Sequence, residues 1–116
     1  MDISGPDETI HQIVRLRIMA ALTALPEGEM LEFIRLRAMV AASDGNLATH
    51  LNTLDAAGYV SVVKDYAGRK PRTRIAATAA GRAALERHVA YLRSIIDGEG
   101  GGDGVTTAGR AAVVVS

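Results

Sequence analysis

The sequence contains no cysteine. Disulfides, thiolate metal sites and cysteine redox sensing are therefore excluded. Aromatic residues make up only 3% of it, with no tryptophan and a single phenylalanine. Any core must accordingly be built from Leu, Ile, Val, Ala and Met. Net charge is also missing, because thirteen basic and thirteen acidic residues cancel. The information lies in how charge is distributed along the chain, not in its sum. No apolar run approaches the roughly 18 residues of a membrane-spanning helix. The opening, MDISGPDE, is acidic and lacks the basic-then-apolar order of a secretory signal. These absences lead to the expectation of a cytoplasmic protein without a membrane partner.

Catalytic and metal-binding patterns are equally scarce. The three histidines, His11, His50 and His88, fall in three separate predicted helices, with no His-x-x-x-His or Glu-x-x-His pair. There is no Gly-x-Ser-x-Gly and no phosphate loop. The glycine-rich GEGGGDG follows a predicted helix rather than a strand, which makes it a linker and not a nucleotide cradle. Neither a metal, a cofactor nor an enzymatic activity is expected.

What the chain does contain is one domain's worth of periodic sequence. Its 116 residues, 48% hydrophobic, can bury a single modest core. Residues 1–8, with Gly5 and Pro6, read as a flexible arm. Residues 9–96 read as the folded domain, and 97–116 as a flexible glycine-rich tail. A first helix is expected over 9–25, because Ile10, Ile13, Val14, Ile18, Ala21, Leu22 and Leu25 share one face. Leu16, Met19 and Ala20 lie on its other faces, an unusually apolar circumference for a surface helix. Pro26 and Gly28 end it. MLEF (30–33) fits a short strand, and 34–41 a second helix with Leu36, Met39 and Val40 inward. ASDGN then offers Ser43 or Asp44 as the cap of a third helix. That helix runs to about Ala57, with Gly58 suited to the left-handed position beyond its end. YVSVVKD and RTRIAA, on either side of a turn at Gly68, predict a hairpin. Thr78 can cap a last helix to about Ile96, whose Ala80, Ala84, Leu85, His88, Val89, Leu92, Ile95 and Ile96 cluster toward one side. The fold class is mainly α with a small β-hairpin, an α+β arrangement.

A helix–turn–helix followed directly by a basic hairpin is the winged helix arrangement. The third helix carries Leu47, Leu51 and Leu54 on its inner stripe. Ser43, Asp44, Gly45, Asn46, Thr49, His50 and Thr53 are left outward or along the rim. That outer face is polar yet nearly uncharged, which suits the DNA major groove better than bulk water. Asn can bond adenine in two places, and Thr can meet a base, a phosphate or a thymine methyl. Gly45 in the first turn lets backbone approach a phosphate. His50 has two readings, a base contact or a partly buried packing residue. The hairpin KDYAGRKPRTR holds Lys64, Arg69, Lys70, Arg72 and Arg74 against one acid, Asp65, so it is basic within a neutral chain. Such a wing can neutralise phosphates. A module for protein or RNA contacts is the competing reading, but it would not need the polar face at Asn46, Thr49 and Thr53.

The segments SDGNL with HL, then AGYV, GRKPRT and T-x-x-GR, resemble those of small MarR- and ArsR-like bacterial transcriptional regulators. The similarity spans about residues 13–92. It implies sequence-specific binding of double-stranded DNA by a homodimer that controls transcription. Residues 43–57 would then be the recognition helix and 64–74 the wing. Ile34 stands where such proteins often start the second helix with Ser or Thr, and Ala79 replaces a frequent proline. Dimerisation is also expected on physical grounds, since a small core cannot shelter both apolar end helices. Ile10, Ile13, Ile18, Leu85, Val89, Leu92 and Ile96 are the expected interface, placing two recognition helices about one DNA turn apart. A small-molecule effector held between the dimer helices is left open by the sequence.

Overall fold

The structure is a computed structural model that describes residues 5–98. The elements follow the order α1 (Glu8–His11), α2 (Ile13–Thr23), β1 (Leu31–Glu32), α3 (Phe33–Val40), α4 (Asp44–Ala56), β2 (Val60–Ala67), β3 (Lys70–Ala77) and α5 (Ala79–Ile96). The strands form one antiparallel sheet in the order β1-β3-β2. Leu31 pairs with Ile75, and the hairpin register runs from Val60 opposite Ala77 to Ala67 opposite Lys70. The tail expected at 97–116 lies outside the described residues from position 99 onward.

The expected first helix is in fact two. Gln12 adopts an extended conformation (ψ 131°) that ends α1, and its side chain accepts the Arg15 N–H to cap α2. The break is silent in the sequence because Ile10 and Ile13 keep helical spacing across it. Its consequence is opposite fates for the two isoleucines: Ile10 is fully buried, whereas Ile13 is 54% exposed. α2 is the central helix of the domain, contacting α3, α4, α5 and the sheet. Ile18, Met19 and Leu22 are all fully buried there. Most of its apolar circumference is thus covered within one chain, and Ile13 at its start is the large apolar residue left exposed. On α3, Leu36 and Val40 point inward, but Met39, expected beside them, is exposed. The α3 N-terminus has no side-chain cap, in keeping with the absence of Ser or Thr at that helix start.

The turn between α3 and α4 is made by Ala41, the one described non-glycine residue at positive φ (54°). Alanine there carries a strain of roughly 1–2 kcal/mol that glycine would avoid. Ser43 Oγ accepts the Asn46 N–H at 3.1 Å and fixes the start of α4. At the other end, Gly58 (φ 81°) closes a Schellman motif: its N–H bonds to Asp55 O, and the Tyr59 N–H bonds to Leu54 O. Between these caps Leu47, Leu51 and Leu54 drive α4 into the core shared with Val60, Ile75 and Ala84.

The T-x-x-G-R segment locks α5 to the rest of the domain. Thr78 Oγ1 accepts the Gly81 N–H and donates to Gly58 O at 2.6 Å. The Arg82 guanidinium donates to Thr23 O and Leu25 O, carbonyls left open at the end of α2. Gly81 itself is buried against the Tyr59 carbonyl.

The segment expected to be a loose arm is anchored at Asp7. Its carboxylate accepts the Ile10 N–H and the Tyr59 hydroxyl, the latter at 2.7 Å, and its own N–H donates to His88 Nδ1 at 3.1 Å. The bond to Asp7 pushes the Tyr59 hydroxyl above its usual pKa. His88 is fully buried and edge-on to His11. Because Nδ1 accepts, the proton of the neutral ring sits on Nε2. Burial, and then the neighbouring His11, lower the His88 pKa, against an opposing pull from Asp7 and Glu8. The neutral form therefore belongs to the folded state. Its contribution is complete above the ordinary histidine value of about 6.5 and is lost as the pH falls below it. The melting temperature should drop steadily between pH 6.5 and 5. His88→Gln should be less stable at pH 7.5 but show a shallower drop. A wild-type melting temperature that stays level from pH 7.5 to 5 would contradict this role.

Candidate nucleic-acid interface

With Leu47, Leu51 and Leu54 buried, α4 leaves Gly45, Asn46, Thr49, Asn52 and Thr53 exposed. Asn46, Thr49 and Thr53 recur at three and four residues, which places them on one stripe. Thr53 Oγ1 donates back to Thr49 O at 3.3 Å, which leaves its lone pairs free to accept. No charged side chain sits within this stripe. Asp44, at the helix start, is paired instead with Arg37 of α3 at 3.3 Å. Acid at that position suits the positive end of the helix, and the pair ties the two helices of the turn together. Both partners are well exposed, so the pair is worth at most about 1 kcal/mol.

His50 lies on the flank toward α2. Its Nδ1 is 3.1 Å from Nη1 of Arg15. Arginine can only donate, so Nδ1 accepts and the neutral ring carries its proton on Nε2. Burial first, then the Arg15 charge, lower its pKa. Arg15 also donates from Nε to Thr9 O, so the start of the chain, α2 and α4 are joined through one side chain. His50 is thus half-buried and held by Arg15 through Nδ1.

The hairpin ends in a two-residue turn at Gly68 and Arg69, with Gly68 at φ 67°. Glycine at the first central position with Arg69 at negative φ fits a type II′ turn. The strands thus extend further than the expected boundaries, and Tyr66, Ala67, Lys70 and Pro71 are paired rather than in a loop. The five basic residues do not form one patch. Arg69 and Lys70 project at the tip, both exposed. Lys64 faces the other way along the sheet, into a groove it lines with Asn52 and Asp55 of α4, Thr73 of β3 and an apolar floor of Phe33, Leu51 and Val62. Arg72 and Arg74 are both engaged by Asp65. Arg72 makes a two-pronged bond, Nε to Oδ1 at 2.9 Å and Nη2 to Oδ2 at 3.1 Å, and Arg74 Nη2 reaches Oδ2 at 2.8 Å. The Arg72 guanidinium in particular holds the Asp65 carboxyl below its usual pKa, and Asp65 in turn raises that of Arg72. Asn52, not among the expected contact residues, is exposed on the wing side of α4. The leucine spacing alone already places it outward.

The polar face of α4 and the tip of the hairpin stand on the same scaffold, a three-helix turn flanked by a wing. A family profile described as a winged helix DNA-binding domain matches residues 14–96. The chain belongs to this family. A protein of known structure, the transcriptional regulator homologue protein from Pyrococcus horikoshii OT3, is 29% identical, with a TM-score of 0.72 over 80% of this chain and 89% of that one. An uncharacterised protein of Methanocaldococcus jannaschii is 33% identical over 79 residues, 68% of this chain and 83% of its own length. A MarR family regulator from Silicibacter pomeroyi aligns at 25% identity and a TM-score of 0.57, covering 77% of this chain and 57% of that one. The expected α+β winged helix and the likeness to MarR-type regulators are thereby established. Of the expected dimer residues, Ile10 and Ile18 are fully buried inside the winged helix domain. They belong to its own core and are not at its surface. Ile13 and Ile96 are exposed, and Leu85, Val89 and Leu92 are half-buried. Among the described residues no helix is long and apolar enough to cross a membrane.

Proposed function

We propose that this winged helix protein is a sequence-specific transcriptional regulator that binds double-stranded DNA as a homodimer. α4 enters the major groove and the wing tip contacts phosphates or the minor groove. The observation that carries the reading is the uncharged hydrogen-bonding stripe Asn46, Thr49 and Thr53, exposed on α4. Gly45 supports it. An added Cβ there would meet nothing within 4 Å, so nothing inside the protein requires a glycine. Glycine is nevertheless a poor helix former, though less so in a first turn than in a helix interior. Close approach of a DNA backbone to the capped start of α4 gives it a purpose. Arg69 and Lys70, next to no acid in the described ion pairs, are the phosphate-contacting cations. The test is selection of bound fragments from sheared genomic DNA, followed by titration of the enriched duplex against a scrambled one. Equal affinity for the two would reject sequence-specific binding.

The dimer is built on α5. Leu85, Val89, Leu92 and Ile96 recur along one side of it, and Ile96 is 78% exposed. Pairing this strip with a second copy, together with exposed Ile13, would remove it from water and set two α4 helices in register with a two-fold DNA site. Leu92→Glu would bury an unpaired carboxylate in that contact. It should convert the protein to monomer at micromolar concentration and lower the melting temperature, since dimerisation stabilises the folded state by mass action, while the domain still unfolds cooperatively. Sedimentation velocity separates the outcomes. A wild type that is monomeric at tens of micromolar would contradict the dimer.

A further inference from the structure

We infer that Asp65 is a specificity-determining residue of the wing, a built-in competitor that occupies the guanidinium donors of Arg72 and Arg74 until a correctly placed phosphate displaces it. The inference rests on the DNA-binding reading proposed above and deepens it.

Asp65 is the only acid within the basic hairpin 64–74. The register sets it directly opposite Arg72, with Arg74 two residues further along the same strand face. Its two oxygens accept three guanidinium N–H bonds, at 2.9, 3.1 and 2.8 Å. The two-pronged Arg72 contact has the planar geometry with which arginine also grips phosphate. Glu32 of β1 lies opposite Arg74 in the sheet and adds to the field at Arg72. On this face of the wing two acids therefore balance two arginines. The tip cations Arg69 and Lys70, one turn away, carry no such counter-charge. A wing built only to attach to polyanions would leave all its cations free. Here two of the five are held in reserve.

The ion pairs are about one-third exposed, so each is weak enough for a phosphate to replace. Replacement still has a cost, and it is repaid only where the backbone meets both guanidinium groups in good geometry. On random DNA, where contacts are loose, Asp65 suppresses binding. On a fitted site the arginines change partner. Asp65 thus lowers the non-specific background more than the specific affinity, which raises discrimination.

The experiment is titration of the full chain with a random-sequence duplex and with its enriched genomic duplex at several salt concentrations. Asp65→Asn should steepen the log–log salt dependence on random DNA by one to two units, roughly one for each freed arginine. It should raise random-DNA affinity about tenfold or more near 0.1 M salt, and narrow the ratio between enriched and random duplex. Arg72→Gln/Arg74→Gln provides an arm that does not depend on the folding of the first variant. With Asp65 intact those arginines contribute little to random-DNA binding, so the double variant should keep the wild-type salt slope there within about half a unit. It should weaken the enriched duplex. Folding of each variant is checked by its melting curve. An Asp65→Asn protein that folds yet keeps the wild-type slope and affinity on random DNA overturns the inference. So does a double variant that loses two units of slope on random DNA. A wild type that binds no duplex at low salt would remove the DNA reading itself, and this inference with it, from the wild-type measurement alone.

Discussion

Gly81→Ala should destabilise the domain by about 3 kcal/mol or more, at or beyond the upper end of ordinary overpacking costs. A Cβ at this position would lie 2.1 Å from the Tyr59 carbonyl oxygen and 2.9 Å from Met19 Cε. The methionine tip can move, but the carbonyl cannot move cheaply. Tyr59 O accepts the Thr78 N–H at 3.1 Å, the Tyr59 N–H is bonded to Leu54 O, and its hydroxyl is held by Asp7. Shifting that backbone would disturb the end of α4, the start of β2 and the cap of α5 together. Urea denaturation measures the loss. Ala80→Gly, at an exposed neighbour on the same helix, should cost only about 1 kcal/mol. A Gly81→Ala protein within about 0.5 kcal/mol of wild type, inside the range of ordinary surface changes, would mean that α5 does not approach Tyr59 so closely.

The second large effect belongs to the wing tip. Arg69→Gln with Lys70→Gln should flatten the salt dependence of binding by about two log–log units, because each phosphate neutralised contributes about 0.9. Near 0.1 M salt the affinity for any duplex should fall by one to two orders of magnitude. Both side chains are exposed at the end of a two-stranded ribbon, so the melting temperature should not change. Unchanged affinity would place the wing away from DNA and leave the hairpin a solvated loop.

These two effects also mark what could and could not be read from the chain. The α4 unit was legible throughout. Ser43, the leucines at 47, 51 and 54, and Gly58 act through local chemistry, namely a cap, a buried stripe and a left-handed stop. The hairpin was legible for the same reason, since alternation and Gly68 are local signals. Gln12 was not legible, because its break in the helix leaves the spacing of Ile10 and Ile13 intact. In the sequence Gly81 stands only as part of a family pattern, without a cause. Its cause is a carbonyl 22 residues earlier, a contact that only the packed fold creates. The same holds for the interface. Ile10 and Ile18 read as interface residues because the expected first helix, 9–25, looks too apolar for one small core. The folded domain packs α1 and α2 on several sides and uses both residues itself. In the wing, the count of five basic residues against one acid was correct. What composition could not reveal was that the single acid stands opposite Arg72 and within reach of Arg74, so that it engages two cations at once.

Assignment of α4 as the reading element and the wing tip as the phosphate clamp is tested most directly by Asn46→Ala. The measurement is its affinity for the enriched genomic duplex and for random DNA across several salt concentrations, beside wild type. A base-contacting Asn46 should make the variant lose roughly 1–3 kcal/mol on the enriched site, with random-DNA affinity and both salt slopes nearly unchanged. Equal loss on enriched and random DNA, or no loss on either, would contradict the assignment.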